Sequence, residues 1–288
     1  MSTSLPQLAP RDPESHKGDY GRLLLIGGSR GMSGAIALAG LAAVRSGAGL
    51  VRLATPDVSL DAVAAQFPAY MTLALPSDRH GRIARTAWDA LHRAIEQVNV
   101  VAIGPGLGRS LGLGWLVDRL YREVALPMVV DADALNALAD RGTPLAEHSG
   151  PRILTPHSGE FRRLVPNSSN DRAEQESQAI ELARSAGIVL VLKGHHTLVT
   201  DGKMSFHNTT GNPGMATGGS GDVLTGVITA LLGQGLTPLD AARLGVYLHG
   251  AAGDIAADVY GEVSLTPLDI VESLSITIQN VSLPDDPV

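Results

Sequence analysis

The stretch Asn212-Pro213-Gly214-Met215-Ala216-Thr217-Gly218-Gly219-Ser220-Gly221-Asp222 runs straight into an apolar segment with helical spacing, residues 223–232. Four glycines fall within the eight residues from Gly214 to Gly221. Bare backbone leaves N–H groups free to gather round an anion, and the helix that follows aims its positive end at the same place. Gly218, Gly219, Ser220 and Gly221 therefore read as an anion hole suited to phosphate. Asp222 conflicts with that reading if it is a bystander, because a carboxylate repels phosphate. As an ordinary first-turn acid it would contribute about 0.3–1 kcal/mol against the helix dipole, a role that needs none of the glycines. As a general base it fits. It would take the proton from a hydroxyl attacking a phosphoryl group while the loop amides stabilise charge on that phosphate.

Outward from this stretch the chain alternates. Residues 23–26, 50–54, 100–103, 128–130, 153–154 and 188–192 are short apolar runs, the pattern of strands covered on both faces. Residues 35–45 and 85–98 carry helical spacing, as do runs starting at Gly221 and at Pro238, the latter reaching about Val259. Residues 197–200 and 203–207, split by Asp201-Gly202, predict a hairpin with a type I′ turn. The order predicts an α/β fold with a mainly parallel sheet and one antiparallel addition. No long linker or composition shift divides the chain, so residues 1–288 are expected to form a single domain. Residues 1–18 read as a tail or cap and 283–288 as a frayed end.

Composition narrows the function classes. A net charge of -7 and 3% aromatic residues leave neither a basic stripe nor a stacking platform, which argues against nucleic acid. Cysteine is absent, so disulfides and thiolate metal sites are excluded. No secretory h-region and no membrane-spanning run is visible, and a soluble cytoplasmic protein is expected. The 33 glycines cluster at residues 27–28, 47–49, 104–108 and 211–221, beside apolar runs, where α/β proteins place ligand-binding turns.

Further residues group at strand ends. Val129-Val130-Asp131-Ala132-Asp133 offers two carboxylates, and Leu154-Thr155-Pro156-His157-Ser158-Gly159-Glu160 a histidine and a glutamate. Asp133 reads as a helix N-cap. Asp131 and Glu160 are candidates to hold Mg²⁺, directly or through water, because hard cations take carboxylate oxygens. Lys193-Gly194-His195-His196-Thr197 follows another strand run, and a lysine there suits a nucleotide phosphate. Gly104-Pro105-Gly106-Leu107-Gly108 exposes backbone for close ligand approach. The other histidines lack metal spacing, so zinc is not expected. Ile26-Gly27-Gly28-Ser29-Arg30-Gly31-Met32-Ser33 suggests the cofactor turn of a short-chain dehydrogenase, but the last glycine of that pattern falls on Ser33. None of the five tyrosines stands four residues before a lysine, as such an enzyme requires. A Walker A loop is absent as well.

Taken in order, these motifs resemble the ADP- or ATP-dependent NAD(P)H-hydrate dehydratases of the ribokinase-like superfamily. The resemblance spans roughly residues 18–280. It rests on Gly27-Gly28-Ser29 with Ser33-Gly34-Ala35, residues 45–51, residues 104–108, 131–135 and 155–160, Lys193-Gly194, and residues 212–222. Thr155-Pro156 with Glu160 is similar to a Thr-Pro-Asn-x-x-Glu pattern of vitamin kinases, with His157 replacing the Asn. The resemblance implies a three-layer sandwich and a repair reaction, the dehydration of the S-form of NADHX or NADPHX. Asp222 would deprotonate the C6 hydroxyl of the hydrate, which attacks the terminal phosphate of ADP or ATP, and phosphate then leaves. Ala35, Gly106, His157 and Asp222 would line the hydrate, while Lys193, Gly194, His195, His196, Thr197 and Gly221 would hold the nucleotide. ADP yielding AMP is the expected donor, Mg²⁺ the expected cofactor, a homotetramer the expected assembly, and a separate NAD(P)H-hydrate epimerase the expected functional partner.

Two other readings compete. A plain vitamin-precursor kinase of the same superfamily is opposed by His157 and by the Gly104–Gly108 cluster. A nucleotide sensor without turnover is opposed by Asp222 and Glu160, since a sensor needs no base.

Overall fold

The computed structural model describes residues 4–282; the expectation for 283–288 lies outside the described residues. The chain opens with β1 (Arg22–Ile26), α1 (Ser33–Arg45), β2 (Leu50–Pro56), α2 (Leu60–Ala64) and β3 (Met71–Leu75). It continues with α3 (Trp88–Ile95), β4 (Val100–Ile103), α4 (Leu111–Glu123), β5 (Met128–Val130), α5 (Ala132–Arg141), β6 (Arg152–Leu154), α6 (Ser158–Leu164), α7 (Arg172–Ala186) and β7 (Val189–Leu192). The hairpin β8 (Leu198–Thr200) and β9 (Ser205–His207) follows, then α8 (Ser220–Gly233), α9 (Pro238–Tyr260) and α10 (Pro267–Ser282).

The nine strands among the described residues form one sheet in the order β3-β2-β1-β4-β5-β6-β7-β8-β9. Strands β1 to β7 pair in parallel, and β8 and β9 add antiparallel at one edge. Successive side chains of a strand point to opposite faces, and here both faces are covered. Leu23 and Leu25 of β1 join a core with α1, α8, α9 and α10, whereas Leu24 and Ile26 join a second core with α3, α4, α5 and α7. The outcome is a three-layer α/β sandwich with a mainly parallel sheet, and it accounts for the continuous apolar runs.

The strand order turns at β1, where one branch runs out to β3 and the other starts at β4. Loops leaving the carboxyl ends of β1 and β4 diverge there and open the crevice in which such sheets bind ligands. In this chain the two loops are also zippered together. Gly28 N donates to Pro105 O at 2.9 Å and Ser29 N to Gly106 O at 2.7 Å.

Two local expectations need correction. The hairpin is present, but its connection is four residues long. The Asp201 carboxylate accepts from the amides of Lys203 at 2.9 Å and Met204 at 2.7 Å. Only Gly202 of the Asp201-Gly202 pair takes a positive φ, 82°, so the turn is not type I′, which needs two. The amino-terminal segment is a cap rather than a tail. Leu8 packs on the core, Arg11 donates to Gly47 O at 2.7 Å, and the same guanidinium lies 3.9 Å from the Tyr20 ring centroid.

Helix α8 carries the site and is buried on nearly every face. It crosses α1 at Gly226, where an added Cβ would stand 2.1 Å from Ala39 O. Backbone cannot yield there as a flexible side chain could. Gly226→Ala is therefore expected to destabilise the fold by about 1–3 kcal/mol through overpacking. Urea denaturation would show a lower midpoint with an unchanged slope; an unaltered midpoint would mean that α1 and α8 can separate freely.

Candidate active site

At the carboxyl end of β5, Asp131 occupies the N-cap position of α5, yet its side chain does not cap the helix. It is almost fully buried and takes hydrogen bonds from three separate elements. Oδ1 accepts from Lys193 Nζ at 2.7 Å and from Thr155 Oγ1 at 2.7 Å, and Oδ2 accepts from Thr225 Oγ1 of α8 at 2.8 Å. Glu160, also buried, brings Oε2 to 3.9 Å from the same Lys193 Nζ. Burial opposes the Lys193 ammonium, but the Asp131 and Glu160 carboxylates outweigh it and hold its pKa above the ordinary lysine value. Burial raises the Glu160 pKa, with Lys193 pulling the other way.

This geometry decides which residues fit a cation. A hard ion at Asp131 would have to displace an ammonium and two hydroxyl donors, so Asp131 does not fit as a direct ligand, contrary to one expectation from the sequence. Among the described residues there is no group of three or more His, Cys, Asp or Glu side chains poised to hold a metal. Glu160 spends Oε2 on the His157 N–H, at 2.9 Å. It lines the cavity described below and fits a cation through intervening water, the manner in which Mg²⁺ often accompanies nucleotide phosphates.

Residues 212–222 form the loop before α8. Gly219 is the N-cap with φ 101°, a left-handed conformation that glycine adopts without Cβ strain. The amide of Ser220 turns back to Thr217 O at 3.4 Å, while those of Gly218, Gly219 and Gly221 donate to no other backbone carbonyl among the described residues. Three of the four proposed anion-hole amides are thus open. An added Cβ on Gly221 would lie 3.3 Å from Lys193 Nζ, so the lysine stands directly behind the loop.

Asp222 follows in the first turn of α8, partly buried and without a hydrogen-bond donor among the described residues. Burial, helped by the Asp131 carboxylate and opposed by Lys193, raises its pKa to about 7. A carboxyl poised near neutrality is suited to proton transfer.

A cavity of about 430 Å³ opens over this carboxylate at the β1–β4 switch. Ala35, Gly106, Gly218, Gly219 and Asp222, expected from the sequence, line it. So do Glu160 and Asp133; Asp133 is not the α5 cap but accepts from Gly108 N at 2.8 Å. His157 is outside the cavity lining. It is half exposed and caps α6, its Nδ1 accepting from Gly159 N at 2.9 Å, which leaves Nε2 as the protonated nitrogen of the neutral ring.

None of the residues of the turn at 193–197 lines the cavity. Thr197 Oγ1 donates to Gly194 O at 2.9 Å and so closes the turn on itself. His195 and His196 stack with centroids 3.9 Å apart, leaving an exposed aromatic platform. Sequence reasoning missed Thr225, which holds Asp131 from α8, and His249 and Asp254, which support the loop from α9. Their partners lie far away along the chain, and no local pattern marks them.

Residues 23–275 match the protein family described as NAD(P)H-hydrate dehydratase. The chain is 46% identical over 278 residues to a bifunctional NAD(P)H-hydrate repair enzyme of Moorella thermoacetica, covering 96% of this chain and 52% of that protein. It is 41% identical over 274 residues to the Escherichia coli protein of the same name, covering 93% and 49%. The chain thus spans about half the length of these curated relatives. Among solved structures, the ADP/ATP-dependent NAD(P)H-hydrate dehydratase of Bacillus subtilis, co-crystallised with ATP and Mg²⁺, superposes with a TM-score of 0.81. The two are 32% identical, with 96% and 95% of the chains covered. A ribokinase-like superfamily protein of Enterococcus faecalis superposes equally well, at 29% identity over 96% and 93% of the two chains. With a ribokinase-like sandwich and a family match over nearly the whole described chain, this protein belongs to the NAD(P)H-hydrate dehydratase family.

Proposed function

We propose that the chain, acting as one domain over residues 1–288, dehydrates the S-form of NADHX and NADPHX to NADH and NADPH, using ADP as phosphoryl donor and releasing AMP. The observation that carries this reading is Asp222, unbonded and titrating near neutrality beside three open loop amides at the mouth of the cavity. In the proposed reaction Asp222 takes the proton of the C6 hydroxyl. The freed oxygen attacks the terminal phosphorus of the nucleotide, a new O–P bond forms, and the bridging O–P bond breaks toward AMP. The amides of Gly218, Gly219 and Gly221 receive the charge on the transferring phosphate. The ring-nitrogen lone pair then expels phosphate from C6, and loss of the C5 proton restores the ring double bond. Hydroxide leaves poorly at neutral pH and phosphate leaves well, which explains a nucleotide in a dehydration.

In this reading Ala35 and Gly106 receive the hydrate, with His157 at the cavity's edge beside Glu160. Lys193 meets the nucleotide phosphates behind Gly221, while Gly194, Thr197 and the stacked His195 and His196 hold the remainder. Mg²⁺, held by Glu160 through water, would supply charge neutralisation to the nucleotide phosphates. The Bacillus relative's crystallisation with ATP and Mg²⁺ supports nucleotide and magnesium use. A cytoplasmic homotetramer linked to a separate epimerase completes the proposal. No helix among the described residues is long and apolar enough to cross a membrane. Exposed Val259, Val263, Leu268 and Ile276 supply apolar surface that an assembly would bury.

Incubation with NADHX, ADP and Mg²⁺ should restore absorbance at the reduced-nicotinamide band with stoichiometric phosphate release. Accumulation of a stable phosphorylated product would support a kinase instead. Asp222→Asn is expected to lower kcat by about 10²–10⁴ with ADP binding retained; a full rate would remove Asp222 from the base role. The acid limb of the rate profile should fall near pH 7.

The same carboxyl also links stability to pH. It titrates near 7 when folded and near 3.9 when unfolded. The Asp222 contribution to stability therefore declines as pH rises from about 4 to about 7, by up to roughly 4 kcal/mol, and is level above that window. The stability gain of Asp222→Asn over wild type should grow across the same window in thermal melts; a constant gap would place the Asp222 pKa elsewhere. Lys193→Ala removes the ammonium that favours the Asp222 carboxylate, so the acid limb should move to higher pH while the KM for ADP rises. An unmoved limb would separate Lys193 from Asp222.

A further inference from the structure

Within the loop of residues 211–222 the amides of Gly218, Gly219 and Gly221 are open, and its glycines carry a high entropic cost of ordering. Helix α9 grips this loop at both ends, over the six residues 249–254. At the far end of the loop, the buried His249 places Nε2 2.9 Å from Ser220 O and 3.3 Å from Ser220 Oγ. A ring nitrogen facing a carbonyl must carry the proton, so Nε2–H is the donor. Burial keeps the imidazole neutral, with a pKa lowered to about 4. At the near end, Asp254 Oδ2 accepts from Gly211 N at 2.9 Å and Oδ1 from Asn212 Nδ2 at 3.0 Å. Asn212 in turn accepts from Gly214 N at 3.0 Å. Between the two clamps, an added Cβ on Gly253 would meet Met215 Sδ at 2.2 Å, and one on Gly250 would meet Thr210 Oγ1 at 2.2 Å. The loop therefore lies directly on the helix backbone, pinned at both ends by side chains five residues apart on α9.

We propose that His249 and Asp254 are positioning residues for the reaction: they hold the Gly218–Gly221 amides where the transferring phosphate forms, and touch neither substrate. The proposal rests on the function given above, because it assigns the loop to phosphate. The imidazole supplies a hydrogen bond that leaves the charge around the cavity unchanged. A protonated lysine or arginine in its place would alter the field at Asp222.

The test combines kinetics with hydrogen exchange. In ligand-free His249→Leu, and independently in Asp254→Ala, the hydrogen-bonded amides of the segment, those of Gly211, Gly214, Met215, Ala216, Ser220 and Val223, should exchange at least tenfold faster than in wild type. Those of β1 and β4 should be unchanged. With NADHX and ADP, kcat should fall at least tenfold while the KM for NADHX stays within twofold. His249→Gln, whose amide N–H reaches a similar point, should recover most of the rate and the protection. If His249→Leu does not fold, Asp254→Ala and the His249→Gln comparison decide the same question. Wild-type exchange across the loop in both His249→Leu and Asp254→Ala overturns the proposal, as does a wild-type kcat in both. So does a loss of rate without faster loop exchange, which would move the role of these residues away from the loop. A wild-type enzyme that does not turn over NADHX would sink the functional reading alone, because loop exchange is measured without substrate.

Discussion

The pair between Asp131 and Lys193 joins parts of the molecule that the sheet alone leaves separate. Parallel strands are hydrogen-bonded along their length, but their carboxyl ends open into loops, and nothing in the ladder fixes one loop against the next. Asp131 at the end of β5 receives Thr155 from beyond β6, Lys193 from beyond β7 and Thr225 from α8. One carboxylate thus ties three neighbouring strand ends and the helix that carries the candidate base. A buried pair of this kind adds little net stability over a well-packed apolar substitute, yet removing one partner costs about 3–5 kcal/mol. Its value here is positional: it sets the distance from the lysine to the loop before α8.

The same pair controls the charge at the site. Asp131, Glu160 and Asp222 cluster round a single ammonium, so the cluster carries more negative than positive charge when all three acids are ionised. Burial makes each charge more expensive and each interaction longer in reach. Burial raises the pKa of both Glu160 and Asp222, with the Asp131 carboxylate pushing the same way and Lys193 opposing, and that of Asp222, which has no hydrogen-bond donor among the described residues, reaches about 7. It also follows that a polyanionic nucleotide meets an unfavourable field on the carboxylate side and is favoured only from the side of the loop amides and Lys193.

Much of this was legible in the sequence, and the reasons divide cleanly. The strands were visible because both faces are covered and the runs are unbroken. The loop and Asp222 were visible because glycines, acid and helix are contiguous. Ala35 and Gly106 came with the family resemblance and line the cavity. Asp131 was read with Glu160 as a candidate to hold Mg²⁺, directly or through water, because a carboxylate at a strand end suits a hard cation, and the direct form of that reading fails on its bonds. Its true partners are 24, 62 and 94 residues away, and no window on the chain contains them. Helix α7 was overlooked because it buries only Gln175, Ala179, Ala183 and Ala186, which leaves a faint apolar period. His157 was assigned to the substrate, but a residue preceding a helix and followed three positions later by Glu160 also satisfies a capping box.

A ribokinase-like fold and a dehydration seem at first to belong to different chemistries, and the site shows how little has to differ between them. Phosphoryl transfer asks the protein for a base, an array of donors and a positioned nucleotide, and those are the groups assembled round Asp222. The step that distinguishes the proposed reaction, expulsion of phosphate from C6, draws its electrons from the substrate's own ring nitrogen. It needs no further catalytic side chain. It needs a cavity that admits the ring edge-on beside the loop without crowding the departing phosphate. Gly31, Gly34 and Gly218 on the wall of that cavity provide such room, since an added Cβ there would meet open space. At Gly106 it would stand 2.5 Å from Met32 O, so the fold itself requires glycine at that position.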